Sequence, residues 1–333
     1  MFLLFKSTVL NSSSVHSYVY DKSSLFSSVE KIYDAVVFVD AYSDSDSIGA
    51  GTGFFYKKDQ SYAYIITNEH VIRDANRVEI VLSNDRRMEA KILGKEEYLD
   101  LAVLRVDQKD ALSLATIGSS QDAHIGDTIF TVGSPLGYSY RGSVTSGVIS
   151  GKDRMVSLNV YDKEDNNWVM KVLQIDAAMN RGNSGGPLVN VRGEVIGICT
   201  MRLVNDNAEA MGFAIPIEFA MNYVDSLEKE EKIEWPTLGI SMVNASDKEK
   251  ISVYQLNVPS SVQEGVVVLE VKENKTASRM GLERGDIIIK VANAPVKDMA
   301  YLRYELYQYR RGERVSITYL HNGKTVTKTV KLS

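Results

Sequence analysis

From Ala35 onward the chain reads as short apolar runs, four to seven residues long, separated by Gly, Asn and Asp. Val36–Val39, Gly53–Tyr56, Tyr62–Ile66, Val78–Leu82 and Leu101–Val106 form a first set. Thr128–Val132, Gly147–Ser150, Val169–Ile175 and Glu194–Cys199 form a second. These runs are rich in β-branched and aromatic residues, and their spacing predicts a mainly β fold of barrels or sandwiches. Near Pro216 the period changes. Pro216 suits the first turn of a helix, and Ile217, Ala220, Met221, Val224 and Leu227 then share one helical face. Further strands are expected at Leu238–Val243, Gly265–Val271, Asp286–Val291 and Val315–Tyr319, interrupted by a helix from Met299 to about Tyr309 with Asp298 as its N-cap.

This pattern divides the chain into a flexible N-terminal segment (1–29), whose serine-rich lead-in gives way to a short helix, a β-rich unit (30–227), a charged linker (228–236) and a small mixed α+β unit (237–333). Charge marks the same boundary. Residues 237–333 carry 15 Lys/Arg against 10 Asp/Glu, and the preceding 236 carry 23 against 33. The overall net charge of −5 argues against nucleic acid as a partner. A single cysteine, Cys199, excludes an intrachain disulfide and, lying in an apolar run, reads as core. Met1–Phe5 is too short an apolar stretch for a signal peptide or a membrane span, so neither is expected within the chain as written. No metal-ligand spacing is present; Asp44–Gly49 imitates a calcium loop, but Phe55 stands where a bidentate Glu is required. No cofactor is expected.

Chemistry concentrates in three places. Gly182-Asn-Ser-Gly-Gly-Pro187 places a hydroxyl between glycines, where the backbone can turn tightly and aim amide N–H groups at one point. Alone, such a segment is an ordinary glycine-rich loop. His70 follows the run Tyr62–Ile66, and Asp100 precedes Leu101–Leu104. A Ser nucleophile needs a base and an acid that orients the base, and the chain order His, Asp, Ser is one that such triads use. His70, Asp100 and Ser184 are therefore the expected catalytic set. Gly182, Asn183 and Ser184 form the expected oxyanion hole, with the N–H groups of Gly182 and Ser184 as its donors.

Thr67-Asn-Glu-His-Val-Ile72, Asp100-Leu-Ala-Val-Leu104 and Gly182-Asn-Ser-Gly-Gly186 resemble the signature segments of the HtrA (DegP-like) serine proteases. Val132–Gly137, Gly142–Gly151, Gln174–Ala178 and Gly212–Pro216 extend the resemblance, and Leu238–Ile240 with Met280–Ile288 carry it into a PDZ-like tail. It implies a chymotrypsin-like double β-barrel followed by one PDZ domain, assembled as a homotrimer, with an extracytoplasmic location. It also implies an ATP-independent endopeptidase of protein quality control, acting on unfolded chains. The alternatives are a peptide-binding chaperone or scaffold that cuts little, and a regulatory protease of one partner. By family geometry Ala178, with Ala177 beside it, forms the floor of the S1 pocket, which without charge favours small aliphatic P1 residues. Leu238, Gly239 and Ile240 would hold the C-terminal carboxylate of a bound peptide. The polar stretch Asp153–Asn167 would be a regulatory loop carrying Arg154 as its sensor. The short loop Tyr42–Ile48 implies a simple trimer rather than a cage.

Overall fold

The computed structural model describes residues 22–158, 168–200 and 211–333. It opens with helix α1 (Lys22–Tyr33), the short helix expected after the lead-in, which runs four residues past the expected limit of the N-terminal segment at 29. Its Leu25, Val29 and Ile32 insert into a core shared with the β-rich unit, and that burial is what orders it. Six strands follow: β1 (Val36–Ser43), β2 (Asp46–Lys58), β3 (Tyr62–Thr67), β4 (Arg77–Val81), β5 (Arg87–Glu96) and β6 (Leu101–Asp107). They close into a barrel in the order β1-β2-β3-β6-β5-β4. The expected loop Tyr42–Ile48 is a tight hairpin, with Ser43 paired to Asp46.

The second half contains β7 (Thr116–Ile117), β8 (Thr128–Gly133), β9 (Ser143–Leu158), β10 (Trp168–Ile175), β11 (Pro187–Asn190), β12 (Glu194–Thr200) and β13 (Gly212–Pro216). The order β11-β8-β9-β10-β13-β12 returns to β11 through the β11–β12 pairing, which closes a second barrel, and β7 adds to β12 in parallel. Helix α2 (Ile217–Glu228) follows, with Pro216 as its N-cap residue rather than inside its first turn.

The continuous apolar runs have a simple cause. Successive side chains of a strand point to opposite faces, and here both faces are buried. Phe55 and Ile65 fill the first barrel, whereas their neighbours Phe54 and Ile66 face the layer between the barrels. Ile129 fills the second barrel while Phe130 and Val132 join the same intervening layer.

The tail comprises β14 (Ile240–Asn244), α3 (Lys248–Val253), β15 (Val266–Val271), α4 (Thr276–Met280), β16 (Ile287–Val291), β17 (Ala294–Pro295), α5 (Met299–Leu306), β18 (Arg314–His321) and β19 (Lys324–Lys331). Its sheet runs β14-β15-β16-β18-β19, and two short helices join the one expected. The Asp298 carboxylate caps α5 by accepting the Ala300 and Tyr301 N–H groups, and the helix ends at Leu306, three residues before the expected limit.

The residues between α2 and the tail are packed rather than free. Trp235 stacks on Tyr307 at 4.3 Å and lies 5.1 Å from Tyr223, whose hydroxyl donates to the Tyr307 carbonyl. Ala300 and Tyr304 of α5 belong to the core between the barrels, and Lys171 of β10 pairs with Glu305 at 3.7 Å. The joint is thus an aromatic core in its own right. Trp235→Ala should weaken it by about 2–3 kcal/mol, below the ~3–5 kcal/mol of a fully buried aromatic because Trp235 is only half-buried. Calorimetry of the variant should resolve a tail transition at lower temperature than the barrels; a single unchanged transition would refute the joint.

Candidate active site

β3 ends at Thr67, and a single 3-10 turn, Glu69–Val71, carries His70 out of the first barrel. Val71 and Ile72 anchor the turn in the barrel interior. Glu69 is buried and paired with Arg73 at 2.7 Å, one turn further on. These contacts leave the imidazole of His70 partly exposed, at 23 %.

Asp100 is 1 % exposed. Its carboxylate accepts His70 Nδ1–H at 2.8 and 2.9 Å, and one oxygen also accepts the His70 backbone N–H at 3.1 Å. Holding the proton on Nδ1 leaves Nε2 as the free base nitrogen. The other carboxylate oxygen accepts Thr200 Oγ1–H at 2.8 Å, a donor supplied by β12 of the second barrel. The Asp100 backbone is left-handed, with φ of +52°, a conformation that Asp tolerates better than most residues. Asn68 braces it by donating Nδ2–H to the Asp100 carbonyl at 2.8 Å. Asn68 and Thr200 were not singled out from the sequence; Asn68 stands two positions before His70, and Thr200 is the polar end of an apolar strand.

Ser184 lies on the loop between β10 and β11 and is 4 % exposed. The loop is pinned to the first barrel. Thr52 N–H donates to the Ser184 carbonyl at 2.9 Å, and Thr52 Oγ1–H to the Gly182 carbonyl at 2.6 Å. Gly185, at φ +82°, approaches the segment carrying His70 so closely that a Cβ would lie 2.4 Å from Thr67 Oγ1 and 2.2 Å from the Thr52 carbonyl. Only glycine fits there. Gly182 is equally constrained: at φ +106° a Cβ would sit 2.0 Å from the Ser134 carbonyl oxygen.

The remaining sequence expectations divide. The Asn183 N–H is donated to the Asn180 carbonyl at 3.0 Å and its side-chain amide to the Ala178 carbonyl at 3.3 Å. Asn183 therefore braces the loop, and neither of its amides is aimed as an oxyanion donor. Ala178 is exposed beside the loop, but Ala177 points into the second barrel's core; adjacent residues of an extended segment face opposite ways. Arg154 lies on β9, paired with Val172 of β10, so the expected loop begins as strand through Leu158; its residues 159–167 lie outside the described residues. Leu238, Gly239 and Ile240 line a groove of about 390 Å³ between β14 and α5. Among the described residues no cluster of His, Cys, Asp and Glu has metal-binding geometry, and no helix is long and apolar enough to cross a membrane.

Cys199 is fully buried, and burial pushes its thiol up to about 12. At pH 8 it is therefore protonated and unreactive. Thiol reagents should label it only after denaturation and leave activity intact; rapid labelling of the native chain with loss of activity would contradict the placement.

Comparison with known proteins agrees with this geometry. A trypsin-like peptidase domain matches residues 51–198, and a PDZ domain matches residues 236–332. The serine protease Do-like HtrA of Lactococcus lactis is 38 % identical over 288 residues, spanning 85 % of this chain and 70 % of that one. Its counterpart in Lactobacillus helveticus is 36 % identical over 321 residues, spanning 93 % and 76 %. Among solved structures, the serine endoprotease of Yersinia pestis superposes with a TM-score of 0.65 at 29 % identity, covering 93 % of this chain and 97 % of its own. The HtrA-type protease AlgW with a tripeptide gives 0.68 at 27 %, covering 93 % and 96 %. The matches run along nearly the whole length and span both the peptidase and the PDZ domain, and the chain belongs to the HtrA family of serine endopeptidases.

Proposed function

We propose that Ser184 is the nucleophile, His70 the general base and Asp100 the residue that orients it. Ser184 Oγ attacks the scissile carbonyl while His70 Nε2 takes its proton, and the same nitrogen returns the proton to the leaving amine. The buried Asp100 carboxylate fixes the imidazole tautomer and stabilises the imidazolium as it forms. The N–H groups of Gly182 and Ser184 receive the oxyanion. Water then repeats the cycle on the acyl-enzyme. The observation that carries this reading is the Asp100 carboxylate, which holds the His70 imidazole with both oxygens and accepts Thr200 of the opposite barrel on one of them.

The substrates we infer are unfolded or misfolded chains, cleaved without ATP as a quality-control activity. The uncharged side chain at Ala178 favours small aliphatic P1 residues, since a basic one would lose hydration without gaining a partner. Residues 30–227 form the protease unit, 228–236 the connection and 237–333 the PDZ unit that takes C-terminal peptides. A homotrimer is supported by the apolar surface after β8, where Leu136 is 78 % exposed with Tyr138, Tyr140 and Val144 nearby in sequence. The family resemblance supports an extracytoplasmic site of action.

Wild-type protein should cleave unfolded casein, with cuts after Val or Ala dominating a peptide-library profile. Ser184→Ala should reduce turnover to the residual about 10³–10⁴-fold over water that binding and the oxyanion hole alone provide. Cleavage that persists in the variant would overturn the serine assignment, and a profile led by Lys or Arg would overturn the pocket.

Asn68 acts one step further out, as a positioning residue for Asp100. Among the described residues its Oδ1 is buried without a hydrogen-bond partner, a cost of about 1–3 kcal/mol that the Nδ2 bond to Asp100 must offset. Asn68→Ala should lower kcat roughly 10- to 100-fold with KM little changed, because a displaced base spoils the geometry of attack without altering the substrate cleft. An unchanged kcat in a variant of wild-type stability would remove Asn68 from this role.

A further inference from the structure

The PDZ groove has a charge signature of its own. β14 is the terminal strand of its sheet, so one of its edges is open to an added strand. The groove beside it has an apolar floor made by Leu238 and Ile240 on one side and Leu302 and Leu306 on the other. Three cations, Lys272, Lys275 and Arg303, are the only charged residues in its lining, to which no Asp or Glu contributes.

Two of these cations, Lys272 and Lys275, are mounted on the loop between β15 and α4. Lys272 N–H donates to the Gly239 carbonyl at 2.9 Å. Gly239, at φ +74°, lies so close to Lys275 that a Cβ would sit 2.3 Å from the Lys275 Cβ. Both lysine stems thus start from fixed points against the segment 238–240. Arg303 faces them from α5, between Leu302 and the next turn. Among the described residues none of the three has an acidic partner; the carboxylate nearest in sequence to Arg303, Glu305, is engaged by Lys171 across the joint. One terminal carboxylate would pair with one of the three cations and leave two with no carboxylate in the groove lining.

We propose that this groove selects C-terminal tails in which an apolar last residue is preceded, within about three positions, by one or more acidic residues. The inference rests on reading the groove as a peptide site. An extended ligand advances about 3.3 Å per residue, so side chains at those positions stay within reach of flexible Lys and Arg stems. The apolar floor holds the terminal side chain, and the cationic rim discriminates what precedes it.

Fluorescence anisotropy of the full chain carrying Ser184→Ala tests this with short labelled peptides ending in Val, whose preceding residues are Asp/Glu, Ala or Lys. The acidic tail should bind about tenfold more tightly than the neutral one at low salt, and the gap should narrow as screening increases. Combined Lys272→Glu, Lys275→Glu and Arg303→Glu substitutions should abolish or invert the preference while the thermal transition is retained. A C-terminally amidated peptide reports separately on the site. If acidic and neutral tails bind alike and both are lost on amidation, the charge selectivity is overturned while the peptide site stands. If no tail binds, or amidation changes nothing, the peptide-site reading falls and the selectivity with it.

Discussion

Everything in this molecule depends on the seam between its two barrels. The groups proposed for catalysis are divided across it, with His70 and Asp100 on the first barrel and Ser184 on the second. Neither barrel has the chemistry alone, so their relative position must hold to a fraction of an ångström. Apolar packing between Phe54, Ile66, Phe130 and Val132 brings the barrels together, but such contact is non-directional. Direction comes from hydrogen bonds that cross the seam: Thr52 to Ser184 and Gly182, and Thr200 to Asp100. Each pairs a group that would otherwise be buried unsatisfied, so sliding the barrels would break several at once.

The glycines of the serine loop belong to the same constraint. At Gly185 the open space is used up by Thr67 and the Thr52 carbonyl, and at Gly182 by Ser134. Lacking side chains, the loop lies against the opposite barrel at Gly185 and against the end of β8 in its own barrel at Gly182, and both positions also require positive φ. A glycine-rich loop elsewhere would be loose. Here it is compressed, with Asn183 spending its own amide on internal bonds to keep the turn closed.

Strands with both faces buried announced themselves as unbroken apolar runs, and the expected positions of β1, β3, β6, β8, β10 and β12 follow from that alone. β5 escaped notice because its inward residues Met88, Ala90 and Ile92 alternate with charged ones on a solvated face. β19 escaped for a related reason: Val326 and Val330 stand among exposed Thr and Lys. At the site, the residue types proposed to carry the chemistry stood out because a serine among glycines, a histidine and an aspartate appeared in a usable order. Their supports were not. Asn68 and Thr200 act through a single hydrogen bond each to Asp100 across 32 and 100 residues of chain, and no local pattern records so distant a partner. Ala177 and Asn183 show the converse limit, since a position beside the right residue carries no information about which way its side chain or amide points.

Helix α5 explains why the joint between protease and PDZ units was read as a linker. Leu302 and Leu306, four residues apart, turn toward the peptide groove, while Ala300 and Tyr304, also four apart, turn toward the core between the barrels. A helix with two buried faces has no single apolar stripe, so its pattern reports that it is buried without reporting against what. Tyr307, just past its end, belongs to both surfaces: it lines the groove and stacks on Trp235. The charged run Glu228–Glu234 that suggested a tether is therefore the solvated side of a packed connection, anchored by Ile233 and Trp235. Its acidic residues pair outward, Glu230 with Lys91 and Glu234 with Arg311, so one short segment serves as covalent link, aromatic wedge and polar rim at once.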